Sequence, residues 1–166
     1  MAETRAQDFE LRDELTPADA SALEGMLRAC GVFREDEIDV AMELIEDGLS
    51  RGERSEYRFL VASAGQRPIG YCCYGKIACT VHSFDVYWIA VDPSQRRAGM
   101  GRRLLEEAEA HIRKLGGRRA YVETSGKSSY EPARRFYEAC GYHLECVQPD
   151  FYAPGDGKVT MVKVLG

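Results

Sequence analysis

A chain of 166 residues is long enough for one well-buried core and short for two, so a single domain spanning residues 1–166 is expected. Its 45% hydrophobic and 30% charged residues are those of a soluble globular protein and exclude a disordered or fibrous chain. A net charge of −5 argues against a nucleic-acid footprint over the whole surface, and no apolar run approaches membrane-spanning length.

Met1–Asp8 lacks the basic start and apolar stretch of a secretory signal, so a cytoplasmic protein is expected. The six cysteines (Cys30, Cys72, Cys73, Cys79, Cys140, Cys146) form no C-x-x-C pair and the three histidines are scattered, so neither disulfides nor a metal is expected.

Phe9–Leu15 reads as a short strand, followed by Thr16 as a helix cap and Pro17 at the first helical position. Leu23, Met26, Leu27 and Cys30 form the stripe of that helix; Ile38, Ala41, Met42, Ile45 and Leu49 form that of a second, which Gly52 ends. Strand-like runs follow at Tyr57–Ala64, Ile69–Ala78 and Ser83–Val91, the first two joined by the turn Gly65–Pro68. The third suits a central strand, in which Asp85 is the exception. A helix from about Gly99 to Leu115 carries Met100, Leu104, Ala108, Ile112 and Leu115 on one face, and Gly116-Gly117 stops it. Arg119–Thr124 reads as a strand, Glu131–Cys140 as a helix striped by Ala133, Phe136, Tyr137 and Cys140, and Tyr142–Val147 and Val159–Val164 as closing strands. The fold class is α/β, a mixed sheet flanked by helices.

Between Val91 and the third helix lies Asp92-Pro93-Ser94-Gln95-Arg96-Arg97-Ala98-Gly99-Met100-Gly101-Arg102-Arg103. Glycines in a strand-to-helix turn let backbone N–H groups approach an anion, the helix start adds its positive dipole end, and four arginines reinforce the attraction. A pyrophosphate is the anion such a turn holds. The spacing is not G-x-x-x-x-G-K-[ST], and Leu104 stands where G-x-G-x-x-G needs its third glycine, which excludes the two better-known nucleotide fingerprints.

Ile89-Ala90-Val91-Asp92-Pro93 followed by Arg96-x-x-Gly99-x-Gly101 resembles the acyl-CoA-binding motif of the GNAT superfamily, R/Q-x-x-G-x-G/A after a strand and a V-x-P turn. Tyr130–Tyr142 is similar to the second signature of that family, N-x-x-A-x-x-[LF]-Y-x-x-x-G-[FY], with Tyr130 in place of the asparagine. Arg97 and Ala98 depart from the usual Arg-Gly-Lys/Arg-Gly loop. The resemblance covers about Phe59–Val164 and extends to a bacterial-type branch carrying Glu123-Thr124-Ser125-Gly126 and Asp150–Asp156.

The resemblance implies a mostly antiparallel sheet with a splay between two parallel central strands, about four flanking helices, and an N-acetyltransferase that passes the acetyl group of acetyl-CoA directly to a primary amine in a ternary complex. A non-catalytic acyl-CoA-binding module of the same fold is the alternative. Acetyl-CoA is the implied cosubstrate, with Ile89, Ala90, Val91, Arg96, Arg97, Ala98, Gly99, Met100, Gly101, Arg102, Tyr130, Ala133, Phe136 and Tyr137 as its contacts. The amide of Ile89 would polarise the thioester carbonyl and Val91 would hold pantetheine. Tyr137 matches the tyrosine placed to protonate the leaving thiolate.

Asp85 stands four residues before Ile89, where the histone-modifying branch keeps a glutamate base, and on an extended strand it shares a face with Tyr87 and Ile89. Ordered water or Glu123 are the alternatives to it. The acceptor, a small-molecule or peptide amine, is expected between the loop Cys30–Glu37 and a late loop Gln148–Lys158, where Phe33, Asp150, Phe151 and Tyr152 offer aromatic faces and charge. A monomer or homodimer is expected, with no nucleic-acid or membrane partner.

Overall fold

Among the described residues of a computed structural model, 9–96 and 99–166, the β-branched and aromatic runs form seven strands and the amphipathic stretches four α-helices. The strands are β1 (Glu10–Arg12), β2 (Tyr57–Ala64), β3 (Arg67–Lys76), β4 (Ser83–Val91), β5 (Arg119–Ser125), β6 (His143–Ala153) and β7 (Asp156–Val164). They lie in one sheet in the order β1-β2-β3-β4-β5-β7-β6. The helices are α1 (Asp19–Cys30), α2 (Glu35–Arg51), α3 (Met100–Lys114) and α4 (Glu131–Ala139). None of the described helices is long and apolar enough to cross a membrane. The chain divides into two compact units, one running to Tyr74 and including Trp88–Ala108, the other Gly75–Tyr87 with Glu109–Gly166.

In the first unit, the stripes read from the sequence meet the sheet: Leu23, Met26 and Leu27 of α1 and Ile38, Ala41 and Ile45 of α2 pack with Phe59, Val61, Tyr71, Cys73 and Ala90 in one buried cluster. The start of α1 differs from the expectation. Thr16 is not its cap; the helix begins at Asp19, whose amide donates to the Thr16 carbonyl at 2.9 Å. The Asp19 carboxylate accepts from the Thr16 amide at 2.7 Å and hydroxyl at 2.9 Å, and pairs with Arg12. Burial alone would push this carboxyl up, but Arg12 and Thr16 together hold it below the ordinary carboxylate value. Gly52 ends α2 at φ 53°, as the sequence implies. Gly70 lets β3 approach α3, since a Cβ there would stand 3.0 Å from the Met100 sulfur and 3.1 Å from Leu104.

In the second unit, β4 and β5 are parallel, with the ladder Ser83↔Arg119, Phe84↔Ala120 and Asp85↔Tyr121 covering the first three residues of each strand. β5 pairs antiparallel with β7 along its whole length, and β7 with β6. Phe84, Val86, Ala120, Val122, Val159 and Met161 are buried on the alternating inner positions. Leu115, expected on the stripe of α3, is 57% exposed, because the helix ends at Lys114 and Gly116 turns the chain at φ 84°. The late segment also differs. Gln148–Lys158 is largely hairpin rather than loop: β6 continues to Ala153 and β7 begins at Asp156. A register shift between Gln148 and Ala153 absorbs Pro149 as a bulge, with Asp150 at φ 55° and its carboxylate accepting the Gly155 amide at 2.7 Å.

Candidate active site

In the first unit, β4 runs into a short 3-10 turn, Pro93–Gln95, and then α3. Asp92 shapes that turn. Its carboxylate accepts the Ser94 amide at 2.9 Å and hydroxyl at 2.7 Å and pairs with Arg67, while its own amide donates to Ile69 of β3 at 2.9 Å. Gly99 has φ +74°, and among the described residues other than its chain neighbours no heavy atom lies within 4 Å of where its Cβ would be. The Arg103 amide closes the first helical bond onto the Gly99 carbonyl at 3.1 Å. The amides of Met100 and Gly101 therefore belong to the helix start, ahead of the first intrahelical donor. Met100 itself is buried, so only its backbone is offered to a ligand.

The arginines divide their work. Arg96 donates to the Cys30 carbonyl at 3.5 Å, Arg102 stands 4.0 Å from Glu106, and Arg103 lies over the Phe9 ring at 4.7 Å. Arg97 and Ala98 lie outside the described residues. Upstream of the turn, Ala90 is buried, Ile89 and Val91 are half-buried, and the Cys30 thiol points to the Val91 carbonyl at 3.8 Å. Phe33 stands edge-on to Trp88, ring centroids 5.3 Å apart.

In the second unit, Asp85 is half-buried on β4. Burial, reinforced by the charge of Glu123 and opposed by that of Lys158, pushes its carboxyl up from 3.8 to about 6. Glu123 accepts the Lys158 ammonium at 3.1 Å, and that ammonium lies 4.2 Å over the Phe151 ring. Phe151 and Tyr152 form an edge-on pair at 5.1 Å, both exposed. Asp150 accepts the Gly155 amide within its own turn.

Tyr137 is 8% exposed on α4, with Phe136 at 5.3 Å and Tyr142 at 5.7 Å between ring centroids. Tyr130 caps that helix, and Ala133 and Phe136 are half-buried on it. The loop that leads into α4 is fastened at both ends. Arg134 donates to the carbonyls of Ser125 at 2.6 Å and Lys127 at 3.0 Å. The buried Asp156 carboxylate accepts the Ser125 hydroxyl and stands 3.6 Å from the Lys127 ammonium. Reading the residues alone missed Arg134, Asp156 and Lys158; only the cross-strand register Ser125↔Lys158 brings the last to Glu123.

The chain belongs to the GNAT acetyltransferase family: residues 55–144, more than half of the chain, match the acetyltransferase (GNAT) domain model. A crystal structure of a protein assigned to the same family, from Desulfovibrio desulfuricans, superposes with a TM-score of 0.93 at 37% identity, covering 96% of this chain and 100% of that one. Among curated relatives, the tRNA(Met) cytidine acetyltransferase TmcA of Actinobacillus pleuropneumoniae is 32% identical over 72% of this chain and 19% of its own. The [ribosomal protein bS18]-alanine N-acetyltransferase of Escherichia coli K12 is 33% identical over 42% of this chain and 46% of its own. The chain thus spans about a fifth of the first and under half of the second. An aminoglycoside 6'-N-acetyltransferase solved with coenzyme A shares the fold alone, with a TM-score of 0.75 at 17% identity and coverage of 96% of this chain and 97% of that one.

Proposed function

We propose that residues 1–166 act as one cytoplasmic acyltransferase domain that moves the acetyl group of acetyl-CoA directly to a primary amine within a ternary complex. The observation that carries this reading is the turn into α3: a glycine at φ +74° with open space around it, followed by helix-start amides, is the cradle a pyrophosphate needs. Acetyl-CoA supplies the acetyl group and the thioester carbon. Arg96 and Arg102, with Arg97 and Ala98, add charge and backbone to the cradle.

The chain's own groups divide the remaining tasks. The Ile89 amide polarises the thioester carbonyl and Val91 holds the pantetheine arm; support comes from the β4–β5 ladder, whose three pairs end at Asp85 and engage neither residue. Asp85, with a carboxyl near 6, takes the proton of the attacking amine, directly or through water, and Glu123 is its neighbour in that task. Tyr137 returns a proton to the leaving thiolate, and Tyr130, Ala133 and Phe136 line the arm. Phe33 in the first unit and Phe151 and Tyr152 in the second each offer an aromatic face to an acceptor, a small-molecule or peptide amine; proteins named for a ribosomal-protein alanine and for aminoglycosides fit that chemistry.

The test is thermal stabilisation of the full chain by acetyl-CoA, alone and with polyamines, amino acids, aminoglycosides and peptide amino termini. Stabilisation by acetyl-CoA that one amine class extends is the expected result. No stabilisation by acetyl-CoA at millimolar concentration refutes the reading.

A further inference from the structure

The register of β4, β5 and β7 places Asp85, Tyr121, Glu123 and Lys158 on one face of the sheet. Glu123 is one alternation along β5 from Tyr121, the residue paired with Asp85, and Lys158 lies opposite Ser125, one alternation further. Asp156, one alternation from Lys158 on β7, is a third carboxylate on that face; it is taken by the Ser125 hydroxyl and the Lys127 ammonium, while the Lys158 ammonium pairs with Glu123. That ammonium is closely held: it bonds Glu123 at 3.1 Å, the Phe151 ring covers it at 4.2 Å, and the Lys158 side chain is only 14% exposed. The ring reaches it because β6 bulges between Gln148 and Ala153, with the non-glycine Asp150 in the left-handed region. Aspartate is one of the few non-glycine residues that enter this region readily, and the Asp150 carboxylate holds the bulge by accepting the Gly155 amide at 2.7 Å.

We propose that Lys158 is a positioning residue of the reaction: clamped by Glu123 and the Phe151 ring, it fixes a positive charge on the face that carries Asp85, so that the Asp85 carboxylate can accept the amine proton. This rests on the acetyl-transfer reading above. Two like charges on one face resist ionising together, and a fixed cation beside them on that face relieves that resistance. The charges that act on Asp85 are Glu123, which drives its carboxyl up after burial has done so, and Lys158, which draws it down. The other titratable or charged groups on the strands of this unit are Lys76 at the end of β3, Tyr87 on β4, Arg119 and Tyr121 on β5, His143, Glu145, Cys146, Asp150 and Tyr152 on β6, and Asp156 and Lys163 on β7. A lysine that merely braced the hairpin would change stability and leave the titration of Asp85 where it was.

The experiment follows the Asp85 side-chain carboxyl carbon by NMR through a pH titration of the full chain, with Asp85→Asn to assign the signal. The wild-type midpoint is expected at about 6. Lys158→Met should move it up by about one pH unit or more, Lys158→Arg should leave it near the wild-type value, and Phe151→Leu should move it up by less than Lys158→Met. An unchanged midpoint in Lys158→Met overturns the proposal, and so does a full shift in Lys158→Arg. If Lys158→Met does not fold, Phe151→Leu decides: a midpoint raised above the wild type supports the clamp and an unmoved one overturns it. The titration needs neither coenzyme nor acceptor, so its failure is distinct from a failure to transfer acetyl groups. With an amine that is turned over, the acidic limb of kcat/KM should move by the same amount as the NMR midpoint.

Discussion

At Asp85 the burial that costs stability also tunes the carboxyl for the proton transfer proposed for it. Its carboxyl rises from 3.8 to about 6, chiefly through burial and secondly through Glu123. Between about pH 4 and pH 6 the folded chain keeps a proton that the unfolded chain has released, so stability falls as pH rises through that window and the penalty is complete above it. Asp85→Asn should therefore be more stable than the wild type at neutral pH by about 2 kcal/mol, the full shift being discounted for partial exposure. Denaturant unfolding at neutral pH and again below about pH 4, where the difference should vanish, checks the sign. The same variant should lose the acidic limb near pH 6 together with much of its turnover. At Tyr137 the expected outcome is a split: Tyr137→Phe should lower kcat by about a hundredfold and leave the KM for acetyl-CoA nearly unchanged. Steady-state kinetics at saturating amine measure it. Both residues stand out in the sequence by their place relative to the motifs, whereas Lys158 does not, because its meeting with Glu123 depends on strand register and not on spacing along the chain.

At the scale of elements, two glycines separate binding from folding. Gly99 stands at φ +74° where α3 begins, with room for a side chain but not for an L-residue's backbone preference. In Gly99→Val the exposed turn relaxes out of the left-handed region and must be brought back to bind, at a cost of about 1–2 kcal/mol, so the KM for acetyl-CoA should rise by about tenfold while the melting temperature moves little. Gly117 has the opposite character: its φ is ordinary, but a Cβ would lie 2.3 Å from Ile112 Cγ2 and 2.7 Å from the Phe84 ring. Gly117→Ala should cost about 1–3 kcal/mol of stability, read by denaturant unfolding.

The same contrast governs what the chain order reveals. The strands Tyr57–Ala64 and Ser83–Val91 have the limits the residues imply, because β-branched and aromatic runs there are bounded by turn formers. β6 hides its length: its residues are exposed throughout, so no alternation marks it, and Pro149, Pro154, Gly155 and Gly157 imitate a loop. Thr16 misleads for a related reason, since the acid three residues later captures its amide and hydroxyl and moves the helix start.

For the whole molecule, an acidic chain of net charge −5 suits the capture of cationic amines more than of nucleic acid, while the arginines near α3 concentrate positive charge where a phosphate-bearing donor is expected. Family membership and fold account for the donor. The acceptor is the least legible part, because the contacts proposed for it lie on a loop and a hairpin whose residues also serve their own turns, as Asp150 does. The central claim is acetyl transfer, and coenzyme A thiol release from acetyl-CoA, measured across polyamines, amino acids, aminoglycosides and peptide amino termini, tests it most directly. The account predicts release that saturates with at least one primary amine, yields its N-acetyl derivative by mass, and falls by about a hundredfold in Tyr137→Phe. Stabilisation of the chain by acetyl-CoA with no amine-dependent release would contradict it and leave a coenzyme-binding module instead.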